Sequence, residues 1–185
     1  MFLKEEILFT KEECDRIIAY ATQWHDREIS VDYNTKQNKI GGKMLSHTLI
    51  WNSENKWVIE RIVNWVNNIS NIKKIINNNI FAAYRNYKKG DYFIKHDDHI
   101  KNGAERMYTI GIHLNSKDDF TGGEFKIYNS NNENIIPFET GKVYIFESAT
   151  PHSVELIKNG NRITLMLFVE KQNLSNESIT PKHII

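Results

Sequence analysis

The sequence predicts a mainly β domain of sandwich or barrel type with two helices packed against it. Three observations carry that prediction. From about residue 78 onward, apolar residues recur with period two in short runs rich in Ile, Val, Tyr, Phe and Thr. Turn signals such as Lys89-Gly90-Asp91, Thr121-Gly122-Gly123 and Asn159-Gly160 separate those runs. Before residue 78 the apolar spacing is helical in two segments instead.

The first helix is expected over about 11–24. It opens on Thr10-Lys11-Glu12-Glu13, a capping box in which the Thr hydroxyl accepts from the Glu13 amide while the Glu13 side chain reaches back. Cys14, Ile17, Ile18 and Ala21 then form one apolar face, with Cys14 read as a small core residue. The second helix is expected over about 54–69, with Ser53 as its cap and Trp57, Ile59, Ile62, Val63 and Val66 as its face. Between them, Val31 to Met44 is polar, holds Gly41-Gly42, and reads as a loop long enough to fold over a substrate. Strands are expected at 80–87, 91–99, 106–114, 123–128, 143–148, 152–157 and 162–170, and the polar segment from about 172 is read as a frayed end. No linker divides the chain. It reads as one domain over 1–185, helical to about 77 and β from about 78 to 170.

Composition narrows the function classes. The 185 residues hold 24 Lys plus Arg and 23 Asp plus Glu, a net charge of +1, which argues against a large basic nucleic-acid face. Hydrophobic residues are 40% and charged residues 25%, an ordinary globular balance. No apolar run is long enough to span a bilayer, so no membrane is expected as a partner. The first six residues are too acidic for a signal peptide, and a single cysteine excludes an intrachain disulfide and a Cys-based zinc site. The expectation is a soluble protein of a reducing compartment, cytoplasmic or otherwise intracellular.

The stretch that carries chemistry is Tyr92-Phe93-Ile94-Lys95-His96-Asp97-Asp98-His99. If it is a strand, His96 and Asp98 share one face and Asp97 and His99 the other. One imidazole and one carboxylate on one face can grip a single ion, and His152 is the candidate third ligand. Two His and one carboxylate leave coordination positions open, the facial triad of non-haem Fe(II) oxygenases. Arg162 begins an apolar strand ten residues after His152, beyond a turn read at Lys158-Asn159-Gly160-Asn161. A buried guanidinium needs an anion, and a dicarboxylate such as 2-oxoglutarate could chelate the metal at one end and meet Arg162 at the other. Other candidates read as structural: His25, His47 and His183 as solvated, and Tyr144, Phe146 and Phe168 as core.

These residues fall within an ordered set of motifs. Tyr87-x-x-Gly90-x-x-Phe93-x-x-His96-x-Asp98 is followed by Arg106-x-x-Thr109-x-x-x-His113-Leu114-Asn115. Then come Gly122-Gly123-Glu124, Pro137-x-x-x-Gly141-x-x-x-x-Phe146, His152 and Arg162. Over about 84–170 the chain resembles the prolyl 4-hydroxylase branch of the Fe(II)/2-oxoglutarate dioxygenases, and Phe9 to Cys14 looks like that branch's first helix. The resemblance implies a double-stranded β-helix, a cupin-like jelly-roll, which agrees with the strand count. It implies His96, Asp98 and His152 as iron ligands and Arg162 as the partner of the distal carboxylate of 2-oxoglutarate. It places Tyr87 and Thr164 at cosubstrate contacts, His113 where many members have Tyr, and Phe93 where Tyr is frequent beside the substrate. Arg106 falls at a position that lines the substrate mouth in some members.

The resemblance therefore implies oxidative decarboxylation of 2-oxoglutarate to succinate and CO2, coupled to hydroxylation of an unactivated C–H. The leading substrate is a prolyl residue in a peptide or protein. Expected cofactors are Fe(II), 2-oxoglutarate and O2, with ascorbate as reductant. Two alternatives stay open: a hydroxylase of a free amino acid or other small molecule, and a non-catalytic metal- or sugar-binding jelly-roll. A peptide needs an open groove, whereas a free amino acid needs a closed pocket with a second charged anchor.

Overall fold

The structure, a computed structural model, describes residues 1–23, 29–32, 42–76, 79–101, 104–130 and 132–171. The expectations for His25, His183, the middle of the 31–44 loop and the tail from 172 lie outside these residues. In chain order the elements are β1 (Phe2–Ile7), α1 (Lys11–Gln23), β2 (Ile29–Asp32), β3 (Gly42–Thr48), α2 (Lys56–Asn67), β4 (Ile80–Lys88), β5 (Tyr92–His96), β6 (Ile100–Lys101) and β7 (Ala104–His113). They continue with β8 (Phe120–Gly122), β9 (Phe125–Asn129), β10 (Asn132–Ile136), β11 (Lys142–Glu147), β12 (His152–Val154) and β13 (Ile157–Glu170). Along the main path the order is β1-β11-β7-β13-β4-β3-β5-β12-β9-β10, every pairing antiparallel. The sheet curls into a double-stranded β-helix.

Alternation along the central strands builds two cores. Val143 and Ile145 of β11, Ile110 and Ile112 of β7, and Leu165, Leu167 and Val169 of β13 pack with the helices. The residues between them, including Tyr144 and Phe146, turn inward and pack with Tyr87, Phe93, Phe125 and Val154. These strands are therefore buried on both faces, which is why they read as nearly continuous apolar runs.

Helix α1 begins as its sequence demands. The Glu13 amide donates to Thr10 Oγ1 at 3.3 Å and the Thr10 amide to a Glu13 carboxylate oxygen at 3.0 Å. Arg61 of α2 then clamps the same carboxylate with two bonds of 2.7 and 2.8 Å, tying the helices together. Cys14, Ile17 and Ala21 are buried. In α2 the inward face is Val58, Ile59, Ile62, Trp65 and Val66, with Trp57 and Val63 at its margin. The expected Ser53 cap does not form. Asn55 stands at the cap position without a side-chain cap bond, and Asn52 closes the turn before it: its side-chain oxygen accepts from the Glu54 and Asn55 amides, and its amide donates to the Asn55 side-chain oxygen at 2.8 Å.

Several expectations need correction. The N-terminal part is not helical alone: β1 pairs with β11, β2 with β3, and β3 with β4 and β5. Val31, Asp32 and Gly42 to Met44 belong to those strands, so the expected loop is shorter at both ends. His47, read as solvated, is 6% exposed on β3 opposite Tyr84. Lys158 to Asn161 is strand rather than turn, and the reversal after β12 falls at Glu155 and Leu156. Gly160 there adopts φ +73, and a Cβ on it would lie 1.9 Å from the Asp119 carbonyl oxygen, so β13 can hug the turn before β8 only with glycine. Among the described residues, no helix is long and apolar enough to cross a membrane.

Candidate metal centre

The three expected ligands meet at one point, though not quite as strand alternation suggests. Strand β5 ends at His96, and Asp98 lies just beyond it. The Asp98 amide donates to the Ser148 carbonyl at 2.8 Å, which turns the chain so that its carboxylate faces the His96 ring. Strand β12 places His152 directly opposite His96. One ligand atom from each residue lies within 4.8 Å of the other two, a set that could hold a metal ion. His96 Nε2 is 3.8 Å and His152 Nε2 3.3 Å from the Asp98 carboxylate.

The hydrogen bonds around the three set their chemistry. Nδ1 of His96 meets the Ile94 carbonyl at 2.7 Å, and Nδ1 of His152 meets the Thr150 carbonyl at 3.0 Å. A carbonyl only accepts, so each ring carries a proton on Nδ1 and turns Nε2 to Asp98; burial works against charge on His152, but the Asp98 carboxylate raises it above its ordinary value. Thr109 donates its hydroxyl to Asp98 at 3.0 Å and is itself 3.0 Å from the Ser148 hydroxyl. Such partners orient metal ligands. Burial, the neighbouring His152 and the charge of Arg85 push His96 down to about 4, which keeps it neutral. Burial opposes ionisation of Asp98, yet the two imidazoles and Thr109 hold its carboxyl well below the usual range. The rings are fixed by packing: His96 lies 3.8 Å from Phe93, and His152 4.9 Å from Phe146.

The triad opens into a cavity whose wall includes Tyr87, Phe93, Tyr144, Arg162 and Thr164. Arg162 is 1% exposed, across β4 from Tyr87, with its guanidinium 5.2–5.9 Å from the rings of Phe138, Tyr87 and Phe125. Its Nε and Nη2 have no hydrogen-bond partner among the described residues, nor has Thr164 Oγ1. A guanidinium so placed is costly unless an anion meets it, so the site fits a carboxylate ligand.

Other expected residues stand differently. His113 is fully buried, stacked 4.0 Å from Phe138 and 5.0 Å from Tyr144, outside the cavity wall. Its Nδ1 accepts the Glu139 amide at 3.3 Å, which places the proton on Nε2, and Nε2 has no partner among the described residues. Burial, then the charges of Arg162 and Lys142, hold it neutral. Arg106 is buried against the ring of Phe168 at 4.0 Å and does not reach the cavity wall. His99 turns away, its Nδ1 3.3 Å from the Arg106 carbonyl.

Six wall residues escaped the sequence reading, among them Tyr144, Phe168 and Arg85. Tyr144 and Phe168 are core residues and also line the cavity. Tyr144 owes its place to Gly111 opposite it on β7, where a Cβ would sit 2.1 Å from the Tyr144 ring. Arg85 also lines the cavity. The signal for it was available: it stands two residues before Tyr87, so the two share a face of β4.

Residues 82–170 match the sequence profile of the 2OG-Fe(II) oxygenase superfamily. A PKHD-type hydroxylase of Prochlorococcus marinus strain MIT 9515 is 36% identical over 59 residues, which is 32% of this chain and 27% of that protein. The chain thus spans about a quarter of the length of the curated relatives it matches. A 2OG-Fe(II) oxygenase family oxidoreductase from Burkholderia pseudomallei superposes with TM-score 0.69 at 15% identity, covering 94% of this chain and 85% of that one. A prolyl hydroxylase from Trichoplax adhaerens, in complex with a hypoxia inducible factor oxygen degradation domain peptide fragment, superposes with TM-score 0.65 at 16% identity, covering 90% and 82%. A Pseudomonas putida prolyl-4-hydroxylase gives 0.61 at 12% identity, covering 92% of each chain. The curled sheet, the convergent triad and the profile match agree: residues 82–170 are those of a 2OG-Fe(II) oxygenase-type core, in a prolyl 4-hydroxylase-like fold.

Proposed function

We propose that this chain is an Fe(II)- and 2-oxoglutarate-dependent dioxygenase whose substrate is a prolyl residue in a peptide or protein. The reaction balances as substrate C–H, 2-oxoglutarate and O2 giving substrate C–OH, succinate and CO2. One observation carries the proposal: two imidazoles and one carboxylate converge at the cavity that also holds the guanidinium of Arg162, whose Nε and Nη2 have no partner among the described residues.

His96, Asp98 and His152 would hold the iron, which when bound supplies O2 activation and the oxidising power for the C–H step. Arg162 would pair with the distal carboxylate of 2-oxoglutarate, and Thr164 would offer a hydroxyl beside it. Tyr87 and Tyr144 flank that place and exclude water. His113 would act from behind the wall, its neutral Nε2–H being the donor that faces the same charge neighbourhood. Phe93 shapes the substrate side of the site, and Arg106 would support Phe168. Ascorbate would serve as reductant.

The protein should be incubated with Fe(II), 2-oxoglutarate and ascorbate, against Pro-containing peptides and free amino acids. Succinate release with one oxygen atom added to a substrate supports the proposal. Failure to bind 2-oxoglutarate, with no succinate from any of them, sinks it in favour of a non-catalytic jelly-roll. One observation favours the second reading, a free amino acid or other small acid: the cavity contains a further guanidinium.

A further inference from the structure

We propose that Arg85 is the anchor for a carboxylate on the primary substrate. The inference rests on the dioxygenase reading above and adds the chemistry of what is hydroxylated.

Arg85 lies on β4 opposite Thr164 of β13, one inward-facing rung from the Tyr87–Arg162 pair, about 7 Å along the strand. It lines the same cavity as the triad, and its charge is felt at His96. It is half-buried, and among the described residues its side chain makes one hydrogen bond, from Nη1 to the Met44 sulfur at 3.1 Å. A thioether is a weak acceptor and carries no charge. No ion pair holds Arg85 among the described residues, whereas Arg61 is clamped by Glu13. A half-buried guanidinium left with one weak neutral partner, facing a ligand cavity, calls for an anion from outside the chain.

The charges of the site say which anion is missing. Asp98 brings one negative charge, Arg85 and Arg162 two positive ones, and histidines that hold a metal ion bring none. A divalent iron adds two positive charges and dianionic 2-oxoglutarate removes two. One positive charge remains in a largely aromatic enclosure, and a single carboxylate neutralises it. Arg162 lies deeper, at 1% exposure among aromatic rings, and suits the cosubstrate. The charge of Arg85 reaches His96, and Arg85 is the more exposed of the two guanidinium groups, which leaves it for the primary substrate. The carboxylate belongs to a free amino acid or to a peptide, at its C-terminus or on an acidic residue beside the reacting one.

The test measures binding to the anaerobic Fe(II)- and 2-oxoglutarate-loaded protein by calorimetry, so it does not depend on turnover. Probes come in pairs: L-proline with L-prolinamide, a peptide ending in proline with its amide, and a peptide with glutamate beside proline with its glutamine counterpart. The wild type should prefer the acid in at least one pair. Arg85→Gln should weaken that acid about tenfold to a hundredfold, abolish the preference, and leave 2-oxoglutarate affinity within about twofold. Arg85→Lys should restore part of the preference. Which pair responds separates a free acid from a peptide carboxylate. The proposal is overturned if no acid is preferred to its neutral partner. It is also overturned if Arg85→Gln weakens 2-oxoglutarate as much as the acid, which would make Arg85 a cosubstrate contact. Loss of iron or 2-oxoglutarate binding by the wild type would instead sink the dioxygenase reading itself.

Discussion

At the residue scale the site separates groups that bind from groups that orient, and graded substitutions should reveal the difference. His96→Ala removes a proposed ligand and should lower iron affinity by more than the about 10–100-fold that loss of an orienting partner costs. Thr109→Val removes the hydroxyl bonded to Asp98 and should fall within that range. His99→Ala should leave metal affinity unchanged, because that ring points to the Arg106 carbonyl. Equilibrium metal titration of the three variants checks the order, and an equal loss in His99→Ala would displace the assignment. Arg162→Ala should raise the 2-oxoglutarate concentration required by the equivalent of about 2–5 kcal/mol while iron binding persists. Lys in its place supplies charge without the fork and should recover part of that loss, seen in a cosubstrate titration.

At the element scale, two substitutions separate scaffold from site. Thr10→Ala breaks the capping box of α1 and should cost about 0.5–2 kcal/mol in chemical denaturation with 2-oxoglutarate binding unchanged. Gly111→Ala places a methyl 2.1 Å from the Tyr144 ring, and overpacking of this kind costs about 1–3 kcal/mol. Because Tyr144 must then shift in the wall beside Arg162, cosubstrate binding should weaken too. A Gly111→Ala protein that loses stability but keeps full 2-oxoglutarate affinity would remove Tyr144 from the cosubstrate site. What the sequence disclosed follows the same division. The α1 cap, both helix faces and the long inward-outward strands were legible because their signals are local and periodic. Strands β1, β2 and β3 were not, since Phe2–Ile7 and Gly42–Thr48 are half polar and become strands only through partners far along the chain. His47 was misjudged with them: read alone it looks solvated, and only the pairing of β3 with β4 buries it. That His96, Asp98, His152 and Arg162 come together at one cavity was legible from residue type and spacing. Arg85 gives a weaker signal, its place two residues before Tyr87 on the same strand face, because a lone strand arginine reads equally well as solvated.

At the scale of the whole molecule, one consequence of burying polar side chains is a limit on the alkaline side. Cys14 joins the helix-side core at 0% exposure, and burial, with Asp15 adding to it, raises its thiol to about 12. Burial raises Tyr84 to about 12 as well, and Tyr144, in the inner core, reaches about 12 despite the opposing pull of Arg162. In the unfolded chain these groups ionise near their ordinary values of 9.0 and 10.0. Below pH 9 both states hold the same protons at these positions, and the stabilisation from keeping them neutral is complete. Between about pH 9 and 12 the unfolded chain releases protons that the folded one retains, so stability falls as pH rises. The urea midpoint should therefore decline steadily from pH 8.5 to pH 10.5, with Cys14→Ala flattening the first part of that decline. The same burial makes Cys14 a poor nucleophile, because thiolate is the reactive form. Alkylation by iodoacetamide at pH 8 should be slow in native protein and rapid in urea. Fast native labelling, or a midpoint that does not move with pH, would mean that the joint between α1 and the sheet opens far more readily than its packing indicates.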